Sequence, residues 1–230
     1  MPLFDEIDTK VKEIFATAWS VKVGQVVPET GNIGLGNEGT KINATVLYAD
    51  LDDSTNLVEN NTFEFAAEVY KSFLHISTKL IRAEGGEVRS FDGDRVMGVF
   101  FGDSKNSSAA RAGLKIHYAV KFILNPAAKR IYRYSSEIKH TVGIDTSELL
   151  AVRSGIRGSN DLVWIGRAAN HAAKLNALSS DFPTRITAEV YNMLSEKVKF
   201  GGAPVRPMWS EVTWTTTKRQ IYRSNWHWRP

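Results

Sequence analysis

Asp50 and Asp94 are the two residues of this chain best placed to do chemistry. Asp50 closes the apolar run Val46-Leu47-Tyr48-Ala49, and Asp94 lies in the turn Asp92-Gly93-Asp94-Arg95. Strand side chains alternate faces, so Tyr48 and Asp50 point to one side while Leu47 and Ala49 point to the other. A hairpin built on that turn and lying antiparallel to the first strand would bring both carboxylates to one ion. Two hard oxygen ligands with open positions suit Mg²⁺ or Mn²⁺, which binds substrate phosphates and polarises the atoms being transferred. Taken singly, each aspartate caps a turn as readily as it ligates.

A second constellation lies downstream. Asn170 and Lys174 are four residues apart in a helical stretch, so the amide and the ammonium share one face. Read alone, they are also an ordinary solvated helix face. Residues 46–55 fit another pattern too, the Asp-x-Asp of haloacid-dehalogenase-like phosphatases, with Asp50 as nucleophile and Asp52 as acid. That reading wants a regular βα alternation and a second acid about four residues after the later Gly-Asp, where this chain has Gly98.

The elements that must carry these residues follow from periodicity. Leu3, Ile7, Val11, Ile14 and Phe15 recur at helical spacing and predict an amphipathic helix, either core or packed on a second copy. Residues 24–40 read as a long loop, residues 41–48 as a strand, and residues 61–83 as a helix with Phe65, Val69, Phe73, Ile76 and Leu80 on one stripe, ended by Gly85 and Gly86. Residues 87–91 and 96–101 predict the hairpin. Ser104 caps a helix to about residue 124, with Ala109, Gly113, Ile116, Val120 and Ile123 inward and Pro126 as its stop. Residues 137–144 and 148–153 read as a strand pair, 162–165 as a strand, 166–178 as a helix, 182–186 as a strand, 188–194 as a short helix and 212–228 as a final β region. The order β, α, β-β, α, β implies an α+β fold, a mostly antiparallel sheet flanked by helices. The domain reading is an N-terminal helix and loop over residues 1–40 and a catalytic domain over 41–230, single-domain overall.

Composition narrows the classes further. At 230 residues, 43% apolar and 23% charged, the chain can bury one full core. No run approaches 18 apolar residues, and Met1 to Glu6 has neither the basic flank nor the cleavage site of a signal peptide, so the expectation is a cytoplasmic protein off the membrane. The absence of cysteine excludes disulfides, thiolate catalysis and cysteine-ligated zinc. A net charge of +4 suits an anionic partner, but no Lys/Arg run suggests a nucleic-acid arm.

Together these stretches resemble the class III nucleotide cyclase catalytic domain, over about residues 42–222. In that family a strand ends in an aspartate followed five residues later by Thr or Ser, as Asp50 is by Thr55. A Gly-Asp hairpin carries the second aspartate, here Gly93-Asp94. A motif of the form Trp-x-Gly-x-x-x-Asn-x-x-x-Arg is met by Trp164, Gly166 and Asn170, with Lys174 at the arginine position. The resemblance implies in-line attack of a ribose 3′ oxygen on the α-phosphorus of a nucleoside triphosphate, expelling pyrophosphate. It implies two divalent ions, Mn²⁺ or Mg²⁺, held by Asp50, Asp94 and the Leu51 carbonyl, with Asn170 orienting the ribose and Lys174 meeting transition-state charge. It also implies a homodimer, since cyclases of this family build each site from two catalytic domains. Lysine keeps the charge but loses the planar fork of arginine, and Arg167, on the same face as Asn170, is a candidate to compensate. Lys218 is the nearest match to a phosphate-binding lysine.

The base-reading positions depart from the family. By resemblance they are Ser90 and Val163, where adenine readers carry Lys with Asp or Thr, and guanine readers Glu with a small polar residue. Serine is short and valine neither donates nor accepts, so neither purine code is present, and a base edge left unpaired costs on the order of 1–3 kcal/mol. Tyr48 and Arg95 stand nearby as unusual side chains, though as a core tyrosine and a surface charge they would need no ligand. The chain therefore resembles the stand-alone pyrimidine cyclases of bacterial Pycsar anti-phage systems, which implies UTP, or CTP, as substrate and a separate cyclic-nucleotide effector. Adenylate or guanylate cyclase, and a catalytically degenerate nucleotide-binding dimerisation domain, are the alternatives beside the phosphatase.

Overall fold

The structure, a computed structural model, describes residues 2–230; Met1, where the signal-peptide reading begins, lies outside the described residues. Its elements are helix α1 (Leu3–Ala16), strands β1 (Ser20–Val23) and β2 (Glu38–Asp52), helices α2 (Ser54–Glu59) and α3 (Phe63–Ala83), and the hairpin β3 (Glu87–Asp92) and β4 (Arg95–Phe100). Helix α4 (Lys105–Ala119), a π turn (Val120–Leu124), helix α5 (Asn125–Tyr132), strands β5 (Lys139–Ile156) and β6 (Ser159–Ile165), and helix α6 (Arg167–Asn176) follow. Strand β7 (Thr184–Thr187), helices α7 (Ala188–Asn192) and α8 (Glu196–Lys199), and strands β8 (Phe200–Gly201), β9 (Arg206–Pro207), β10 (Ser210–Trp214) and β11 (Arg219–Ser224) complete the chain. Among the described residues no helix is long and apolar enough to cross a membrane.

The chain packs as two compact units, one formed by the chain up to Asn43 with Glu148–Gly166, the other by Ala44–Ser147 with Arg167–Pro230. In the first unit β1 pairs parallel with the start of β2, Ser20 opposite Glu38, and β6 folds back antiparallel on the end of β5, Leu150 opposite Ile165. The end of α1 is held by Asn37, whose amide donates to the carbonyls of Ile14 and Thr17 at 2.7 Å each. Terminal helix carbonyls lack partners within the helix, so this side chain supplies one.

The second unit carries the strand order β10-β11-β7-β5-β2-β4-β3. Neighbours are antiparallel at β10–β11, β11–β7, β2–β4 and β4–β3, and parallel at β5–β7. Its main core gathers Leu47, Ala49, Val96 and Phe100 of the strands with Val69, Phe73, Leu114 and Ile116 of α3 and α4. Gly98 lets α3 come close, since a Cβ there would lie 2.9 Å from Ile81 Cγ2. Thr62 starts α3, its hydroxyl accepting from the Phe65 N–H at 3.3 Å.

Several sequence expectations are corrected. The stretch read as loop over 24–40 gives way at Glu38 to β2, and both β1 and α2 were missed; β1 is only four residues long and all of them are exposed, so the alternation of Val21 and Val23 with Ser20 and Lys22 is too short to mark a strand. Pro126 does not stop a helix. The backbone stays helical through Leu124 and Asn125, and the π turn just ahead of Pro126, in which the Asn125 N–H donates to the Val120 carbonyl, carries the chain past the residue that lacks an N–H and leaves Ile123 54% exposed. The strand pair expected over 137–153 is one 18-residue strand, β5, which turns only at Arg157-Gly158. It continues through Asp145 because that buried carboxylate accepts from Thr187 Oγ1 at 2.6 Å.

Candidate active site

The antiparallel pairing of β2 with β4 puts Tyr48 opposite Met97, and the pairing of β4 with β3 puts Met97 opposite Ser90. Tyr48, Met97 and Ser90 thus form one row across three strands, on the face away from Leu47 and Ala49. Asp92 pairs with Arg95 at the hairpin mouth, and Gly93 takes φ +61°, a left-handed turn position that suits glycine. Asp50 is the next same-face residue after Tyr48. Burial first, and the neighbouring Asp94 carboxyl second, push the Asp50 carboxyl up to about 6. Asp94 Oδ2 is buried and accepts no hydrogen bond.

These two carboxyls fit a divalent ion. One raises the other's affinity for a proton and one buried oxygen is orphaned, a strain that a cation bound between them relieves. Among the described residues no three His, Cys, Asp or Glu side chains are grouped to hold a metal, so the protein offers two carboxylates and leaves other positions to backbone, water or substrate phosphate. Leu51 is 6% exposed, and after it Asp53 takes a left-handed conformation (φ 59°) to start α2, with its carboxylate accepting from Asn56 Nδ2 at 3.0 Å. Thr55 is exposed in the first turn of α2. A pocket of about 260 Å³ lined by Leu51, Asp52, Asn56, Tyr134 and Lys139 opens beside this strand end.

Tyr48 and Arg95 are in contact. The guanidinium lies 5.5 Å from the centre of the tyrosine ring and pairs with Asp92 at 2.6 Å, while the phenol donates to Met97 Sδ at 3.3 Å. Burial raises the Tyr48 phenol above its ordinary value, so it stays a neutral donor.

On α6, Ala168, Ala169, Ala172, Leu175 and Asn176 are buried, which leaves Asn170 and Lys174 together on the solvent face. Neither makes a side-chain hydrogen bond or ion pair among the described residues. What sets this helix was not foreseen. Asp145, fully buried, faces Arg167 Nε at 3.2 Å and His171 Nδ1 at 3.4 Å, so β5 holds two turns of α6. The only sequence sign was an acid inside an apolar strand, His140-Thr141-Val142-Gly143-Ile144-Asp145. Arg167 also ion-pairs with Glu189 and donates to the Thr146 carbonyl at 2.6 Å, so it is committed to the fold and not available to stand in for an arginine at 174. Lys218 occupies the exposed β10–β11 turn at φ 54°. Val163 lies on β6 in the first unit, opposite Val152, and is 46% exposed. The phosphatase reading of Asp50 and Asp52 fails on the fold, which lacks a doubly wound βα order.

No protein-family model matches the chain. It is 47% identical, over its whole length and 99% of the relative, to a protein of Xanthomonas perforans named uridylate cyclase. A uridylate cyclase of Burkholderia cepacia is 46% identical, with 99% of each chain covered, and one of Rhodovulum sp. (strain MB263) is 37% identical, with 100% of this chain and 98% of the relative covered. Among solved structures, the adenylyl cyclase CyaB from P. aeruginosa superposes with TM-score 0.68 at 22% identity, covering 81% of this chain and 95% of that one. The guanylyl cyclase Cya2 does so with TM-score 0.69 at 17% identity, covering 84% and 96%. With full-length identity at this level and the shared fold, the chain belongs to the class III nucleotide cyclases, in the branch whose members carry the name uridylate cyclase, and is a nucleotide cyclase.

Proposed function

We propose that the chain converts UTP, in preference to CTP, to the 3′,5′-cyclic monophosphate and pyrophosphate, and that the product serves anti-phage defence by reaching a separate effector protein. The observation that carries the base assignment is the Tyr48–Arg95 contact in the row that ends at Ser90. An aromatic ring under a guanidinium offers a stacking surface and forked donors, which suit a base rich in carbonyl acceptors. Uracil has two such carbonyls and cytosine one. Ser90 is too short to reproduce a purine-reading side chain, and Val163 has no polar atom to add. The names of the full-length relatives point the same way.

Asp50 and Asp94, with the Leu51 carbonyl, are the residues to hold two divalent ions, Mn²⁺ or Mg²⁺. When bound, such ions lower the pKa of the ribose 3′ hydroxyl and neutralise phosphate charge. The new bond joins the 3′ oxygen to the α-phosphorus as the bond to the bridging oxygen breaks; the hydroxyl proton passes to water, and pyrophosphate leaves with the electron pair. Asn170 orients the sugar, and Lys174 places a positive charge against the pentacovalent phosphate. Thr55 and Lys218 contact phosphate oxygens. Each site takes its aspartates from one protomer and its α6 pair from the other, so the working unit is a homodimer with two equivalent sites.

The deciding experiment incubates purified protein with Mn²⁺ and each of the four common nucleoside triphosphates, with product mass and pyrophosphate measured together. Cyclic UMP with equimolar pyrophosphate from UTP, exceeding the product from any other triphosphate, is expected. A larger yield of cyclic AMP or cyclic GMP would overturn the base assignment.

A further inference from the structure

Two arginines of the second unit stand side by side with no acid paired to either. Arg185 on β7 lies directly opposite Arg223 on β11, and on its other side opposite Gly143 of β5. Arg185 is only 6% exposed, yet its one side-chain hydrogen bond is from Nη1 to the Phe182 carbonyl at 2.8 Å. The Arg223 guanidinium lies 3.9 Å from the centre of the Phe182 ring, and its Nε is buried without a hydrogen-bond partner. Among the described residues neither arginine makes an ion pair within 4.0 Å. Phe182 therefore fixes both groups, one through its carbonyl and one through its ring, and leaves most of ten N–H donors unspent.

Two like charges held together in partial burial are costly unless an anion joins them. Burial and the neighbouring Arg223 hold the Arg185 guanidinium below its usual range, while Asp181 and Asp52 are the acids near enough to act against that. Asp52 lies two residues beyond Asp50 on the same face of β2, so the pair sits within electrostatic reach of the strand end that carries the metal aspartate.

We propose that Arg185 and Arg223 form a guanidinium clamp for the phosphate oxygens of the triphosphate, holding the pyrophosphate portion of the substrate and of the leaving group. The clamp supplies charge and planar donors to oxygens that gain negative charge as the bond to the α-phosphorus breaks, and it transfers no proton. It rests on the placement of the active site at Asp50. It also relieves Lys218 of being the sole cation assigned to the outer phosphates from this end of the chain.

The test is steady-state kinetics on the whole protein with Mn²⁺, comparing wild type with Arg223→Gln, Arg185→Gln and Arg185→Lys. The substrate is whichever triphosphate wild type cyclises, with inorganic pyrophosphate as product inhibitor. Each Gln variant should raise KM and the pyrophosphate inhibition constant at least ~10-fold, with Arg185→Lys intermediate and inhibition by the bare nucleoside unchanged. Should Arg185→Gln lower the melting temperature, Arg223→Gln alone decides, because its side chain packs on the surface of Phe182. An unchanged pyrophosphate inhibition constant in Arg223→Gln overturns the clamp. Failure of the site placement has a different signature, undiminished turnover in Asp50→Asn.

Discussion

Helices α1 and α3 carry the same kind of amphipathic stripe and meet opposite fates. On α3, Phe65, Val69, Phe73 and Leu80 are buried against the sheet of the second unit. On α1, which belongs to the first unit, no residue is buried, and Leu3, Phe4, Ile7 and Phe15 are more than half exposed. The first unit continues in this way through Trp19, Val21, Val23 and Val26 and, on β6, Val163 and Ile165. Amphipathic periodicity therefore reports that a face wants cover, without saying what covers it. In the second unit the cover is its own sheet. In the first unit the stripe is left exposed, and the proposed homodimer would offer it a cover.

Chemistry and association rest on different residues, and the largest effect should appear on the chemical side. Asp50→Asn keeps the shape of the side chain and removes its charge. Turnover should fall by more than the roughly 10–100-fold that follows loss of a group merely orienting a metal ligand. The sedimenting mass should not change. Activity within tenfold of wild type would detach the metal from Asp50, and a loss of dimer would mean that the two units are not separable in this way.

Phe73 is fully buried, and Phe73→Ala should cost about 3–5 kcal/mol in chemical denaturation. Phe15 is 87% exposed, and Phe15→Ala should change the stability of the dissociated chain by no more than about 0.5 kcal/mol. Equal losses at the two positions would place Phe15 in a core.

How far the sequence could be read follows the same division. Helix α3 was legible because it buries one stripe and exposes the rest, which writes a helical period into the residues. β4 and the Asp50 strand are instead buried on both faces, and were legible as short apolar runs bounded by Asp50 and by the turn Asp92-Gly93-Asp94-Arg95. β1 was not, since its alternation Ser20-Val21-Lys22-Val23 runs for four residues only. β5 was cut in two because Asp145 reads as a break, and only its three-dimensional neighbours Thr187 and Arg167 make it a strand residue. Arg185 was missed for a related reason. Set between Thr184 and Ile186 in a four-residue strand, it gives no sign that Arg223, 38 positions later, lies beside it.

Ile7→Glu together with Phe15→Glu places charge on the α1 stripe while leaving the buried residues of the second unit untouched. If the stripe is covered by a second copy, the sedimenting mass should drop from two chains to one and specific activity should fall on dilution. A mass and dilution profile identical to wild type would exclude α1 from the interface.

The smallest effect concerns acid. All five histidines lie in the second unit, and two of them are stacked, the half-buried His117 on the buried His140 with ring centres 5.4 Å apart. Burial lowers both, His140 to about 3 with help from His117, and His117 to about 4 with help from His227 and Lys121. Below pH 6.5 the unfolded chain takes up these protons while the folded one refuses them, so stability present above pH 6.5 is lost as the pH falls toward those values. For one proton the slope is about 1.4 kcal/mol per pH unit once the unfolded histidine is fully protonated, and roughly 1 kcal/mol over the unit below 6.5. His140→Phe keeps a planar apolar ring against Phe73 and removes the proton site. Denaturant titrations between pH 6.5 and 5 should show a shallower acid loss in the variant than in wild type. Parallel slopes would mean that the unfolding of the second unit leaves His140 enclosed, and that acid lability arises elsewhere.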